Sequence, residues 1–187
     1  LRFVCAEENV SHQIIDYSVY LIDDCWCMIN KNVFVVSLIF FAILSRFLPH
    51  PPNFTPIAAI ALLSSKGFTN RWVVFLIPIV SLFISDLFIG LHATIPFVYI
   101  SFILIALLGM YVKKINIVSV LLSSTIFFLV SNFGVWLLYY PISTEGLVQC
   151  YTLALPFFLN TVLGDLVYGA LLIYPFYALQ RRNRFAV

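Results

Sequence analysis

Polar breaks are few along this chain, and the stretches between them are apolar and long. Positions 87–112, 115–144 and 146–164 each lack any Asp, Glu, Lys or Arg. A helix that crosses a membrane needs about 20 mostly apolar residues to pass a hydrocarbon core roughly 30 Å thick. The runs and their breaks predict six helices, at 31–48, 55–66, 71–90, 93–112, 115–139 and 153–179. The expected fold is an all-α membrane protein, a compact bundle of six transmembrane helices with a short or broken second helix.

That second helix departs from the pattern. Thr55 is a good N-cap, Pro56 suits the first helical position, and Gly67 is a stop signal. About 11 residues remain between them, roughly 16 Å at 1.5 Å per residue and about half of the hydrocarbon thickness. The missing length falls to Pro49-His50-Pro51-Pro52-Asn53-Phe54, which cannot be helical because proline also restricts the residue before it. Irregular backbone at membrane depth is tolerated only where protein buries it or where it lines a wet cavity. The segment is therefore expected to form a cavity wall or lid; a stiff surface loop above a tilted helix is the plainer alternative.

Composition agrees with the class: 63% of the 187 residues are hydrophobic and 10% are charged, against roughly 25% charged in an ordinary soluble domain. A formal net charge of +2, without a basic stripe, gives no sign of nucleic-acid binding. Charge also orients the bundle. Arg2, Lys31, Lys66, Arg71, Lys113, Lys114, Arg181, Arg182 and Arg184 fall on one side of a six-helix arrangement, and only Arg46 falls on the other. Cytoplasmic loops carry the excess of Lys and Arg, so both termini are expected in the cytoplasm. Residues 31–180 would be the membrane domain and 181–187 a basic cytoplasmic tail. The acids Glu7, Glu8, Asp16, Asp23 and Asp24 concentrate before Met28, which stands just ahead of the first long apolar run. Residues 1–30 are expected to be an N-terminal extension, disordered or a gene-start artefact. Three of the four cysteines, Cys5, Cys25 and Cys27, lie in it, with no second pair at metal-binding spacing. The stretch 33–45 is followed by Arg-Phe-Leu-Pro rather than a small-x-small cleavage site, which makes it a retained helix.

The rare polar groups gather toward the end of the bundle opposite the cations. Asp86 and His92 fall in the outer part of helix 3 and just beyond it, and Asn132 and Trp136 in the outer half of helix 5. Asn160 and Asp165 follow about 10 Å and 18 Å along helix 6 from Leu153. His50 and Asn53 belong to the broken segment, and Glu145 to an outer loop. An Asp at mid-helix costs about 2.5–3.5 kcal/mol on insertion scales, so it faces the bundle interior and pairs or marks a substrate path. Both readings stay open for Asp165, which has neighbouring hydroxyls and amides as structural partners, and for Asp86, which has Arg46. Asn132 and Asn160 would serve equally as interhelical glue worth about 0.6 kcal/mol each. Trp136, Tyr139 and Tyr140 also suit an interfacial aromatic belt, and His92 an interfacial position.

No catalytic motif stands out: HExxH, GxSxG and phosphate-cradling glycine loops are all missing from the sequence. His50, Asp86 and His92 form a weak metal signal, two imidazoles and one carboxylate from separate segments. No enzyme activity, metal or cofactor is expected.

The string RFLPHPPNFTPIAAIALL at 46–63 resembles the signature of an uncharacterised family of small bacterial membrane proteins. SDLFIGLH at 85–92, SNFGVWL at 131–137, YPISTEGLVQCY at 140–151 and PFFLNTVLGDLVY at 156–168 resemble it as well. That family in turn distantly resembles the S components of energy-coupling-factor transporters, compact six-helix subunits of the cytoplasmic (inner) membrane that capture a vitamin or trace metal beneath lids. The resemblance implies a vitamin or cofactor-precursor cargo, a transmembrane coupling subunit and two ATPases as partners. The chain departs from it in two places: helix 1 lacks the Ala-xxx-Ala docking face, and the N-terminal Met-His motif of the cobalt and nickel relatives is missing. The expected function is substrate capture for an importer. His50, Asn53, Asp86, His92, Asn132, Trp136, Asn160 and Asp165 would bind cargo, while Pro49, Pro51, Pro52, Phe54 and Glu145 would form the lid or gate. The alternatives are a structural or assembly protein without ligand and a metal-dependent membrane enzyme.

Overall fold

A computed structural model of the chain describes residues 31–68 and 70–182. The expectations for residues 1–30 and for the tail from 183 onward lie outside these. The chain divides into two compact units, Leu1–Ser37 and Leu38–Val187. The described part of the first unit is helical from Lys31 to Ser37.

Six helices make up the described residues: α1 (Lys31–Phe47), α2 (Ile57–Gly67), α3 (Arg71–Ile89), α4 (Ile95–Tyr111), α5 (Ile117–Tyr139) and α6 (Thr144–Arg182). Three stretches are long and apolar enough to cross a membrane, Arg71–Ile89, Ile117–Tyr139 and Thr144–Tyr174; the helical parts of α1, α2 and α4 are shorter. The surface is apolar as well. Trp72, Phe88, Tyr111, Ile142 and Tyr174 are each more than two-thirds exposed, while among the described residues nine serines, one threonine and two aspartates are buried. A protein that hides its hydroxyls and displays its aromatics is built for an apolar solvent.

Those serines explain the packing. Small side chains let helices approach closely, and a hydroxyl in an apolar interior needs an acceptor. Ser81, Ser85, Ser101, Ser123 and Ser131 each donate to a carbonyl three or four residues earlier in their own helix. Ser64 goes further. Pro78 inside α3 has no N–H to donate to the Val74 carbonyl one turn back. Ser64 Oγ, from α2, lies 3.2 Å from that carbonyl and 2.9 Å from Ala61 O, its other acceptor.

The short helix α2 is the centre of the bundle. It packs against α3, α4, α5 and α6, and its residues Ile57 to Ser64 are all buried. It starts two residues later than expected: Pro56 occupies the N-cap position with no side-chain cap, and Thr55 caps nothing. Thr55 N instead donates to Asn53 O at 3.1 Å, which holds the chain in a tight turn before the helix. Asn53 has φ +66°, a left-handed conformation that asparagine tolerates. At the far end of α2, Lys66 donates to Val112 O, and the N–H of Ile115 donates to the Tyr177 hydroxyl at 2.9 Å. These two bonds gather the α2 C-terminus, the α4–α5 loop and the last part of α6 at one end of the bundle.

The last helix begins at Thr144, nine residues before the expected start. Its cap is Ser143, whose hydroxyl accepts from Gly146 N at 3.1 Å, with Glu145 in the positively polarised first turn. Glu145 therefore stands on a helix and not in a loop.

Candidate functional site

Between the C-terminal ends of α1 and α3, the segment at 49–56 and the middle of α6 lies a cavity of about 310 Å³. Ligand sites usually occupy about 300–1,000 Å³, with a few polar groups set into an apolar lining. Its floor and flanks are apolar, with Ile57 and Ala58 from α2, Leu82 from α3, and Phe102 and Phe127 from α4 and α5. Its polar groups are Arg46, His50, Asn53, Thr55, His92, Thr161 and Asp165. The broken segment contributes His50 and Asn53 to the wall, and Thr55 follows directly after it.

Local sequence explains why that segment stays put. Phe54 N donates to Pro51 O at 3.1 Å, closing a turn over two prolines that cannot donate themselves. The Phe54 ring packs on Tyr168 of α6 with centroids 5.6 Å apart, and Phe41 of α1 meets the same tyrosine edge-on at 6.4 Å. Gly164 makes the approach possible: a Cβ there would meet Phe54 Cα at 3.0 Å and Thr55 N at 3.3 Å. The wall of the cavity thus leans on α6 one residue away from Asp165.

Two aspartates have different surroundings. Asp86, 1% exposed, accepts from Arg46 Nη2 at 2.6 Å on one oxygen and from the Tyr99 hydroxyl at 3.0 Å on the other. The Arg46 contact is the one ion pair among the described residues and joins α1 to α3, while Tyr99 ties in α4. The Asp86 carboxylate does not line the cavity; its partner Arg46 does. Asp165 is 3% exposed and does line it. One of its oxygens accepts from Ser124 of α5 at 2.6 Å, and the other accepts nothing from the described residues. That second oxygen is not sealed in protein, since the one fully buried unpartnered side-chain atom among the described residues is His50 Nε2. His50 Nδ1 lies 2.9 Å from Pro51 O. A carbonyl only accepts, so Nδ1 carries the proton of this contact.

Apart from His92, the remaining expected site residues lie elsewhere. Asn132 donates to Phe128 O at 2.8 Å within its own helix, and Trp136 Nε1 donates to Pro141 O at 3.1 Å across the α5–α6 turn. Neither lines the cavity, nor does half-buried Asn160. Pro49, Pro51 and Pro52 are exposed on the outside of the wall, and Glu145 is exposed at the start of α6. His92 is exposed and sits on the cavity's edge. Residues not anticipated as cargo contacts are Arg46, Thr55 and Thr161 on the lining, and Ser124 behind Asp165. Arg46 had a signal, as the lone cation at its end of the bundle. Ser124 had none, because a serine in an apolar helix reads as packing.

Among the described residues no three His, Cys, Asp or Glu side chains lie together to hold a metal ion. Cys150 is a buried free thiol 3.6 Å from Asn132 O, away from the cavity.

Residues 28–186 match the model of a family of unknown function, DUF6580, and the chain belongs to that family. No curated protein and no solved structure matches it.

Proposed function

We propose that this member of a family of unknown function is the membrane-embedded substrate-binding subunit of a small-molecule importer, in which Asp165 anchors cargo in a cavity open to the outside. The observation that carries this is a carboxylate 3% exposed at mid-helix, with one oxygen spent on Ser124 and the other left to the cavity. A carboxylate is expensive at that depth unless something pairs with it. Packing alone would have closed the space with an apolar side chain.

On this proposal all six helices cross the inner membrane of a bacterial cell. With 17 residues each, α1 and α4 reach the lower limit of the roughly 17–25 needed, and α2 is completed by the 49–56 segment. Lys66, Lys113, Lys114 and the end of α6 share one end of the bundle, and Arg46, His50 and His92 the other. The positive-inside rule turns the first end to the cytoplasm, together with both termini. Energy would come from a coupling membrane subunit and ATPases, as the sequence resemblance implies, because the chain carries no phosphate-binding loop of its own. A structural role is the better reading for Asp86, whose oxygens are both occupied by side chains of the protein.

The test is native mass spectrometry of protein purified in mild detergent. Wild type should retain a co-purifying small molecule that Asp165→Asn loses while still folding. Wild type and variant both emerging empty, with equal thermal stability, would overturn the proposal.

A further inference from the structure

Resting on the capture reading above, we infer that the cargo is a small organic cation, a protonated amine or amidine on a compact apolar body, whose charged nitrogen pairs with Asp165. Charge on the cavity wall decides this. Arg46 is already matched by Asp86 at 2.6 Å, whereas Asp165 has no cation among the described residues. A buried charge is held in place by a partner, and a removable one makes a binding site.

Hydrogen bonding points the same way. Asp165 offers a free oxygen without a donor among the described residues. Thr161, on the cavity lining, gives its proton to Phe157 O at 2.9 Å, so its hydroxyl can only accept from a further partner. Both acceptors await donors, and an ammonium or amidinium group supplies two to four N–H bonds at once. The rest of the space suits an apolar or flat body, since Phe102 and Phe127 stand 5.4 Å apart on one flank. A metal cation fits worse, because the described residues bring no three ligating side chains together.

The experiment is a thermal melt of the purified full chain in detergent against paired probes. Methylammonium, butylammonium, benzylammonium and benzamidinium are each set against a neutral isostere, with benzoate as the anion. A ligand at 100 times its Kd should raise the Tm of a chain this size by roughly 5–10 °C. At least one cation is expected to give such a shift in wild type and under a third of it in Asp165→Asn, with the isosteres inert. A neutral isostere or benzoate stabilising as well as its cationic partner, a cation shift that survives in Asp165→Asn, or no shift with any cation would each overturn the cationic assignment. Capture itself is tested separately, by co-purification. A neutral or anionic molecule retained by wild type would keep capture and sink the cation.

Discussion

Replacing Asp86 by alanine strips a part-buried cation of its counter-ion. Asp86 is 1% exposed and Arg46 18%, and the variant leaves both the guanidinium and the Tyr99 hydroxyl without an acceptor. Breaking a buried pair by removing one partner costs about 3–5 kcal/mol. Arg46 is partly exposed and its long stem lets the charge shift toward water, which places the loss at the lower end, near 3 kcal/mol. At roughly 2–4 °C per kcal/mol for a chain of this size, the Tm in detergent should fall by about 6–12 °C. The double variant Arg46→Met/Asp86→Leu removes both charges and fills the space with apolar side chains. It should recover to within about 1 kcal/mol of wild type, because a buried pair replaced by apolar groups is often neutral or stabilising. The assay is a double-mutant cycle by fluorescence-detected melting. A single variant that loses less than 2 °C, or a double variant that loses the sum of its two singles, would refute the view that this pair acts as a closed structural unit.

Three further outcomes follow from the packing. Ser64→Ala should lower stability by about 1–2 kcal/mol, since it leaves the buried Val74 carbonyl without a donor. In a Pro78→Ala background, which restores an N–H to that carbonyl, the same substitution should cost less than half as much in melting experiments. Gly164→Val should destabilise by about 1–3 kcal/mol and weaken retention of any co-purifying molecule, because the new side chain would push Phe54 and Thr55 off α6. Equal retention by this variant and wild type in native mass spectra would separate the wall from the binding site. Asn132→Ala should leave cargo retention unchanged, since its amide is bonded to Phe128 O in its own helix; a variant that emptied the protein would bring the C-terminal half of α5 into the site.

The parts of this fold legible in sequence are those that composition and proline govern. Long uncharged runs demanded helices, and the Pro-rich segment at 49–54 could not be one, so the short α2 and the wall beside it could be anticipated. Asp165 was legible for the same reason: a charge in such a run has few explanations. The direction in which the other polar residues point was not. A helix apolar all round has no face to read, so Asn132, Trp136 and Asn160 shared a depth in sequence without sharing a cavity in space. The start of α6 was hidden because Ser143-Thr144-Glu145 sits among Pro141, Gly146 and polar residues that also suit a loop, while Pro156 makes a start near 153 look natural. Asp86 has two readings in sequence, because the pattern does not show that Arg46 and Tyr99 meet its two oxygens.

Capture from outside requires that Asn53, on the cavity wall, and Lys113, at the far end of the bundle, face opposite compartments. Single cysteines at these two positions in a cysteine-free background, treated in intact cells with a membrane-impermeant maleimide, read this directly. Position 53 should label at once and position 113 only after permeabilisation. Labelling of both from the same side would contradict an outward-facing cavity.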